Sequence, residues 1–230
     1  MSTQHTSRDF DAELRELRAN LLAMGARCER SVQLAIRAFV EDAPSLAREV
    51  IELDRRINRD EMECDELALR IIALRQPVAF DLRLITTALK LVTDLERIGD
   101  EAVNIAERAE ETDGEARRMP SEILAKMAEL SEEMLRDALD AFVESDIEKA
   151  NRVRRSDDAV DKLYGDALRQ MMDFMATHPD RIPPAVRAMS VAKYLERIAD
   201  HATNIAEEVI FMVEGQDVRH RTNAPKPLPM

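Results

Sequence analysis

The sequence predicts an all-α protein made of two tandem, similar three-helix bundles, and three observations predict it. Apolar residues recur at spacings of three and four throughout, with no strand-like alternation. Aromatics are 3% of the 230 residues, there is no Trp, and Gly totals five. The core must therefore use Leu, Ile, Val, Ala and the twelve Met, a palette that favours helices over strands. Finally, residues 95–107 (LERIGDEAVNIAE) return at 195–207 as LERIADHATNIAE, with ten of thirteen positions identical. A period of 100 residues is too long for a solenoid and marks a duplicated domain.

The elements follow in order. A first helix is expected over about 9–41, with Leu14, Leu17, Leu21, Met24, Cys28, Ala35 and Ala38 as its seam. Asp42 and Pro44 supply an N-cap and a first-turn signal for a second helix, which carries Val50, Leu53, Ile57, Leu67 and Ile71 to about Arg75. Pro77 breaks it, and a third helix runs from about 78 to 110. TDGEARRMP at 112–120 reads as a linker. Three more helices are expected at about 121–144, 147–176 and 184–214, with HPDRIPP at 178–184 in the role of Pro77 and Gly215 as a stop. The duplication extends to AFVED at 38–42 and AFVES at 141–145, which aligns Asp54 with Asp157. The expected division is a first bundle at 1–112, a linker at 113–119, a second bundle at 120–216 and a flexible Pro-rich tail at 217–230. Short connections make neighbouring helices antiparallel. Helices of ~30 residues span ~45 Å, so an elongated molecule is expected.

Composition narrows the function. A formal net charge of −13 without a basic cluster argues against nucleic acid as a partner and favours cations or basic protein surfaces. The N-terminal MSTQHTSRDF lacks the apolar core of a signal peptide, and no apolar run approaches the ~20 residues of a membrane span. A cytoplasmic protein that meets a membrane only through partners is expected. Cys28 and Cys64, without metal-type spacing, read as reduced, buried thiols.

The repeated motif carries the candidate site. On a helix, Glu96, Asp100, Asn104 and Glu107 fall within ~80° of arc, away from the face of Leu91, Leu95, Ile98, Ala102 and Ile105. Glu196, Asp200, Asn204 and Glu207 repeat the row. If the second and third helices reverse near 76–77, Asp54 and Asn58 stand level with Asp100 and Glu96. In the second half Asp157 and Asp161 confront Glu196 and Asp200. Carboxylates so gathered must take up protons, be balanced by Arg97 and Arg197, or hold a cation. All-oxygen ligands suit Mg²⁺, Mn²⁺ or Ca²⁺ and can hold iron. The spacing leaves the choice open, and rows of acids on helices are commonly solvated faces.

Other candidates are weaker. There is no Glu-x-x-His pair for a di-metal oxidase, no Gly-rich phosphate loop, and no organised Ser, Cys and His set. His5, His178, His201 and His220 share no geometry, and His201 is expected to be exposed. Met171, Met172 and Met175 read as packing.

These residues carry a family resemblance. The two LERI-G/A-D motifs, RQPVAFDLRL at 75–84 and VEGQDVRH at 213–220 resemble the PhoU family over about residues 9–220. The resemblance implies a fold of two three-helix bundles and a cytoplasmic negative regulator of phosphate uptake and the phosphate regulon. Such a regulator bridges the ATPase subunit of the phosphate ABC transporter and the phosphate-sensing histidine kinase, without catalysis. It also implies a divalent metal (Mg, Mn, Fe or Zn) or an iron cluster at Glu96, Asp100, Glu196 and Asp200, with Asp54, Asp157 and Asp161 facing them. Asn58 stands where the second half has Asp161, so the first site is expected to be the weaker. A homodimer is expected of so long an amphipathic body. The alternative function is a metal-storage or redox protein using carboxylate-bound clusters; a further alternative is an inert helical spacer.

Overall fold

The computed structural model describes residues 8–41, 43–110 and 122–218. Among them lie six long helices and no strand. They are α1 (Arg8–Glu41), α2 (Pro44–Arg75), α3 (Ala79–Glu110), α4 (Glu122–Glu144), α5 (Ile147–Thr177) and α6 (Ile182–Glu214). A 3₁₀ turn, Pro179–Arg181, precedes α6.

Local chemistry sets the ends. The Asp146 carboxylate accepts from the Lys149 backbone N–H at 3.0 Å and starts α5. Gly215, at φ 72°, takes the left-handed cap of α6, and its N–H donates to the Phe211 carbonyl. Before α2, Ala43 holds the cap position without a side-chain bond, and Pro44 opens the helix. Asp42, the expected cap, lies outside the described residues, as do the 113–119 linker and the tail from 219 onward. Val218, assigned to that tail, is buried. Helix α6 begins two residues before the expected 184, because Pro183 and Pro184 need no intrahelical N–H partner in a first turn.

Helices α1–α3 pack on one another, as do α4–α6, and α3 lies against α6 along its length. The α3–α6 pairing is antiparallel: Arg83 meets Met212, Lys90 meets Glu208, Asp94 meets His201, and Glu101 meets Arg197. The two bundles therefore share one continuous core rather than hanging from a linker. Helix α1 also touches α4 at Gly25, where a Cβ would stand 2.8 Å from Leu139 Cδ1. The duplication reaches into this core. Cys28 Sγ donates to the Leu95 carbonyl, and its counterpart Ser131 Oγ donates to the Leu195 carbonyl.

Candidate functional site

The amphipathic reading of α3 and α6 holds. Leu91, Leu95, Ile98, Ala102 and Ile105 are fully buried, while Glu96 and Asp100 are only half-buried. Across the first hairpin, Asp100 lies near enough to Asp54 for its charge to disfavour ionisation of Asp54. Burial first, and the Asp100 charge second, push the Asp54 carboxyl above the usual carboxylate range. Burial and Asp100 do the same to Glu96. Glu61, one turn beyond Asn58 on α2, is raised by burial and by Asp65, and it joins the cluster through its proximity to Glu96. In the second hairpin, burial, then Glu196 and Asp157, push Asp200 up to about 6. Asp157 is raised by burial and by Asp161, against a hydrogen bond from Thr203.

Three positions within the motif differ between the halves. A Cβ at Gly99 would lie 3.2 Å from Ile57 Cδ1, a tight contact that the Ile57 side chain would have to yield to by a few tenths of an ångström. In the second half the swap is reciprocal, with Ala199 against the smaller Val160. Thr203 Oγ1 donates to Asp157 Oδ1 at 3.2 Å, whereas its counterpart Val103 has no hydroxyl. Asp54 Oδ1 is accordingly buried without a hydrogen-bond donor, and Asn58 Oδ1 shares that state. The Asn58 amide is turned the other way, donating to Asp54 Oδ2 at 3.2 Å. The third difference, Glu101 against His201, lies on the seam between the bundles.

That seam overturns the expectation of an exposed His201. Its ring Nδ1 is 2.8 Å from Asp94 Oδ1, and its side chain is 23% exposed. Glu101 is buried there and accepts from Arg197 Nη1 at 3.1 Å and from Asn104 Nδ2 at 3.0 Å. Asn204 Nδ2 donates to Asp94 at 3.2 Å. Asn104 and Asn204 are thus bonded on the seam rather than to the acidic clusters. Glu207 pairs with Arg154 at 3.2 Å, and Glu107 lies 3.7 Å from Arg108. An open cleft of about 440 Å³ follows the seam, lined by Leu89, Lys90, Thr93, Asp94, Asn204 and Glu208. Two carboxylates against one ammonium make its field unfavourable to phosphate.

The twin arginines serve different ends. Arg97 turns to its own cluster, 3.5 Å from Glu96 and 3.7 Å from Asp100, and is 59% exposed. Arg197 leaves its cluster for Glu101 of the other bundle. Lys193 takes its place, with Nζ 2.5 Å from Glu196 Oε2 and 5.3 Å from the Tyr164 ring centroid. Sequence reasoning missed Lys193, Tyr164, Thr203 and Glu61. The signal lay in the aligned positions that differ: Lys193 against Thr93, and Tyr164 against Glu61.

The donor set of the first cluster suits a hard cation, since all its groups are oxygens and two are buried without a donor. Among the described residues, however, no three His, Cys, Asp or Glu side chains are placed around one point as a metal would require. Asp54, Glu96 and Asp100 would have to swing inward. The cysteines offer no nucleophile. Burial pushes the Cys64 thiol up to about 12 and raises Cys28 further, so both stay protonated at neutral pH.

The Asp200 shift gives a pH prediction. Its folded pKa of about 6 exceeds its ordinary 3.8. The favourable protonated form is complete below 3.8 and is lost as pH rises through about 6. Asp200→Asn should therefore stabilise the protein at pH 7 and flatten the fall in stability between about pH 4 and 6. Solvent reaches this carboxyl, so the gain should stay below ~1 kcal/mol. Urea unfolding at pH 5 and pH 7 measures both effects; a variant less stable than the parent at pH 7 contradicts the assignment.

Known proteins share this architecture. The model of the PhoU domain matches residues 21–109 and again 124–209, one match to each bundle. The phosphate-specific transport system accessory protein PhoU homolog of Pseudomonas putida is 44% identical over 220 residues, covering 95% of this chain and 86% of that protein. The phosphate-specific transport system accessory protein PhoU of Escherichia coli K12 is 39% identical, covering 94% and 90%. Among solved structures, PhoU from Pseudomonas aeruginosa superposes with a TM-score of 0.85 at 40% identity, over 90% of this chain and all of that one. The phosphate transport system regulatory protein PhoU from Streptococcus pneumoniae gives 0.82 at 28% identity, over 91% and 99%. With both bundles matched and the acidic motif present in each, the chain belongs to the PhoU family.

Proposed function

We propose that this chain is a cytoplasmic accessory protein of phosphate transport and a negative regulator of the phosphate regulon. It acts as an adaptor between the ATPase subunit of the phosphate ABC transporter and the phosphate-sensing histidine kinase. The observation that carries this reading is the nearly full-length match to relatives named accessory proteins of the phosphate-specific transport system. The physical properties agree with it. No helix among the described residues is long and apolar enough to cross a membrane. A net charge of −13 favours basic partner surfaces. A fused six-helix body can act without catalysis, by binding one conformation of a partner more tightly than another and shifting that equilibrium. Exposed apolar side chains such as Leu69, Leu74 and Val78 are compatible with a homodimer, which light scattering checks.

A pull-down with the transporter ATPase and the kinase tests the adaptor. Association with at least one is expected; none with either, in the presence or absence of Mg²⁺ or Mn²⁺, sinks the reading. Replacing Glu96, Asp100, Glu196 and Asp200 together by Ala should leave the helical circular dichroism unchanged, since all four lie off the buried seam. The same variant should release phosphate-regulon repression in cells. Intact repression would instead favour an inert spacer.

A second reading is favoured by the two donor-less oxygens of the first cluster. Asp54, Asn58, Glu96 and Asp100 would hold a divalent Mg, Mn, Fe or Zn ion, which would neutralise the cluster and could serve storage or redox chemistry. Elemental analysis of the purified protein tests it. Tightly held transition metal supports storage, and exchangeable Mg²⁺ alone removes it.

A further inference from the structure

The two acidic clusters, related by duplication, have been neutralised in different ways. In the first, the cation is the guanidinium of Arg97, 59% exposed and 3.5 Å from Glu96; in the second, it is an ammonium at the position that the first fills with a threonine. Lys193 Nζ lies 2.5 Å from Glu196 Oε2, and its charge is also felt at Asp200. The aromatic face of Tyr164, 5.3 Å away, supports the same ammonium from α5. Thr203 donates to Asp157, so that carboxylate already has a partner. At the aligned positions the first cluster has Thr93, Glu61 and Val103. Thr93 Oγ1 is turned to its own helix, 3.4 Å from the Leu89 carbonyl. Three substitutions thus act together: one brings a cation, one replaces a carboxylate by a cation-supporting ring, and one satisfies the facing aspartate.

We infer that Lys193 is a built-in counter-cation that closes the second acidic cluster to metal ions, so that the two halves of this chain are not equivalent cation sites. An ammonium and a divalent ion compete for the same carboxylates, because each is stabilised by their negative potential and repels the other. Glu196 cannot give its full charge to a metal shared with Asp200 while Lys193 Nζ is bonded to its Oε2 and its charge acts on Asp200 as well. The expected ranking of the two sites is therefore reversed: the Asn58 cluster is balanced only by the longer, more exposed contacts of Arg97, at 3.5 and 3.7 Å, against 2.5 Å for Lys193. This inference rests on the cation reading of the first cluster only for contrast, and its test reads the second cluster separately.

The experiment counts Mn²⁺ bound to the full-length chain by equilibrium dialysis, with electron paramagnetic resonance reporting free ion. In the parent protein, Asp157→Asn with Asp200→Asn should not change the number of ions bound. Lys193→Thr, which installs the residue of the first half, should bind about one more Mn²⁺ per chain. Adding the Asp157 and Asp200 changes should remove that ion. Mn²⁺ should raise the Tm of Lys193→Thr more than that of the parent, while Lys193→Arg should behave as the parent. If Lys193→Thr does not fold, Lys193→Gln carries the same comparison. The inference is overturned if the parent loses an ion with Asp157→Asn and Asp200→Asn, or if neither uncharged variant gains one. A parent that binds no Mn²⁺ at all, with a gain in Lys193→Thr, supports closure by Lys193 and removes only the cation reading of the first cluster.

Discussion

Leu95→Ala should be among the most destabilising single changes in the motif, costing about 3 kcal/mol and lowering Tm by roughly 10 °C. Leu95 is fully buried on α3, between the packing partners α1, α2 and α6. Its backbone carbonyl also accepts from Cys28, so the chain around it is fixed and collapses poorly into the space left behind. The next residue, Glu96, is half-buried and lies off this seam. Glu96→Ala should therefore cost less than ~1 kcal/mol at pH 7, because removing a raised-pKa carboxyl relieves repulsion from Asp100. Thermal unfolding of the two variants side by side makes the comparison. A larger loss for Glu96→Ala would mean that the buried and polar faces had been exchanged. Ile198→Ala, fully buried on α6, should follow Leu95→Ala.

The contrast between these neighbours also shows what the sequence could disclose. Helical period, capping and proline breaks depend on nearby residues, so α1 to α6 and their order were legible from spacing alone. So was the meeting of Asp54 with Asp100 and of Asp157 with Asp200, because a hairpin of equal rise on both helices fixes their level. The seam was not legible. Glu101 and His201 differ between the copies, and a differing polar position on an acidic helix reads as solvated. Only the packing of α3 on α6 buries Glu101 and brings Asp94 to His201. Lys193 was hidden for a related reason. Identity between copies drew attention to what was kept, whereas the charge balance of each cluster was set by what had changed: Thr93 to Lys193, Glu61 to Tyr164, Val103 to Thr203.

The same seam supplies the second large effect. Lys90 Nζ donates to both carboxylate oxygens of Glu208, at 2.8 and 2.9 Å, and joins the two bundles. Glu208 is 5% exposed and Lys90 42%, so the carboxylate is the member removed from water. Lys90→Met strips away the ammonium that neutralises it and should cost about 2 kcal/mol, below the range for a fully buried pair because one partner is half-solvated. Glu208→Gln should cost less, since it removes the buried charge together with the need for neutralisation. The double variant should be more stable than Lys90→Met alone, giving a coupling of about 1 kcal/mol in a double-mutant cycle. Urea unfolding at pH 7 reads all three. The pair has no duplicate, as Ser190 and Arg108 occupy the aligned positions, so it acts on the junction and not within either bundle. Lys90→Met should thus broaden or split a single unfolding transition as the bundles lose their mutual support. A uniform loss under ~0.5 kcal/mol with an unchanged slope would instead place the bond between bundles in the apolar contact of α3 and α6 alone.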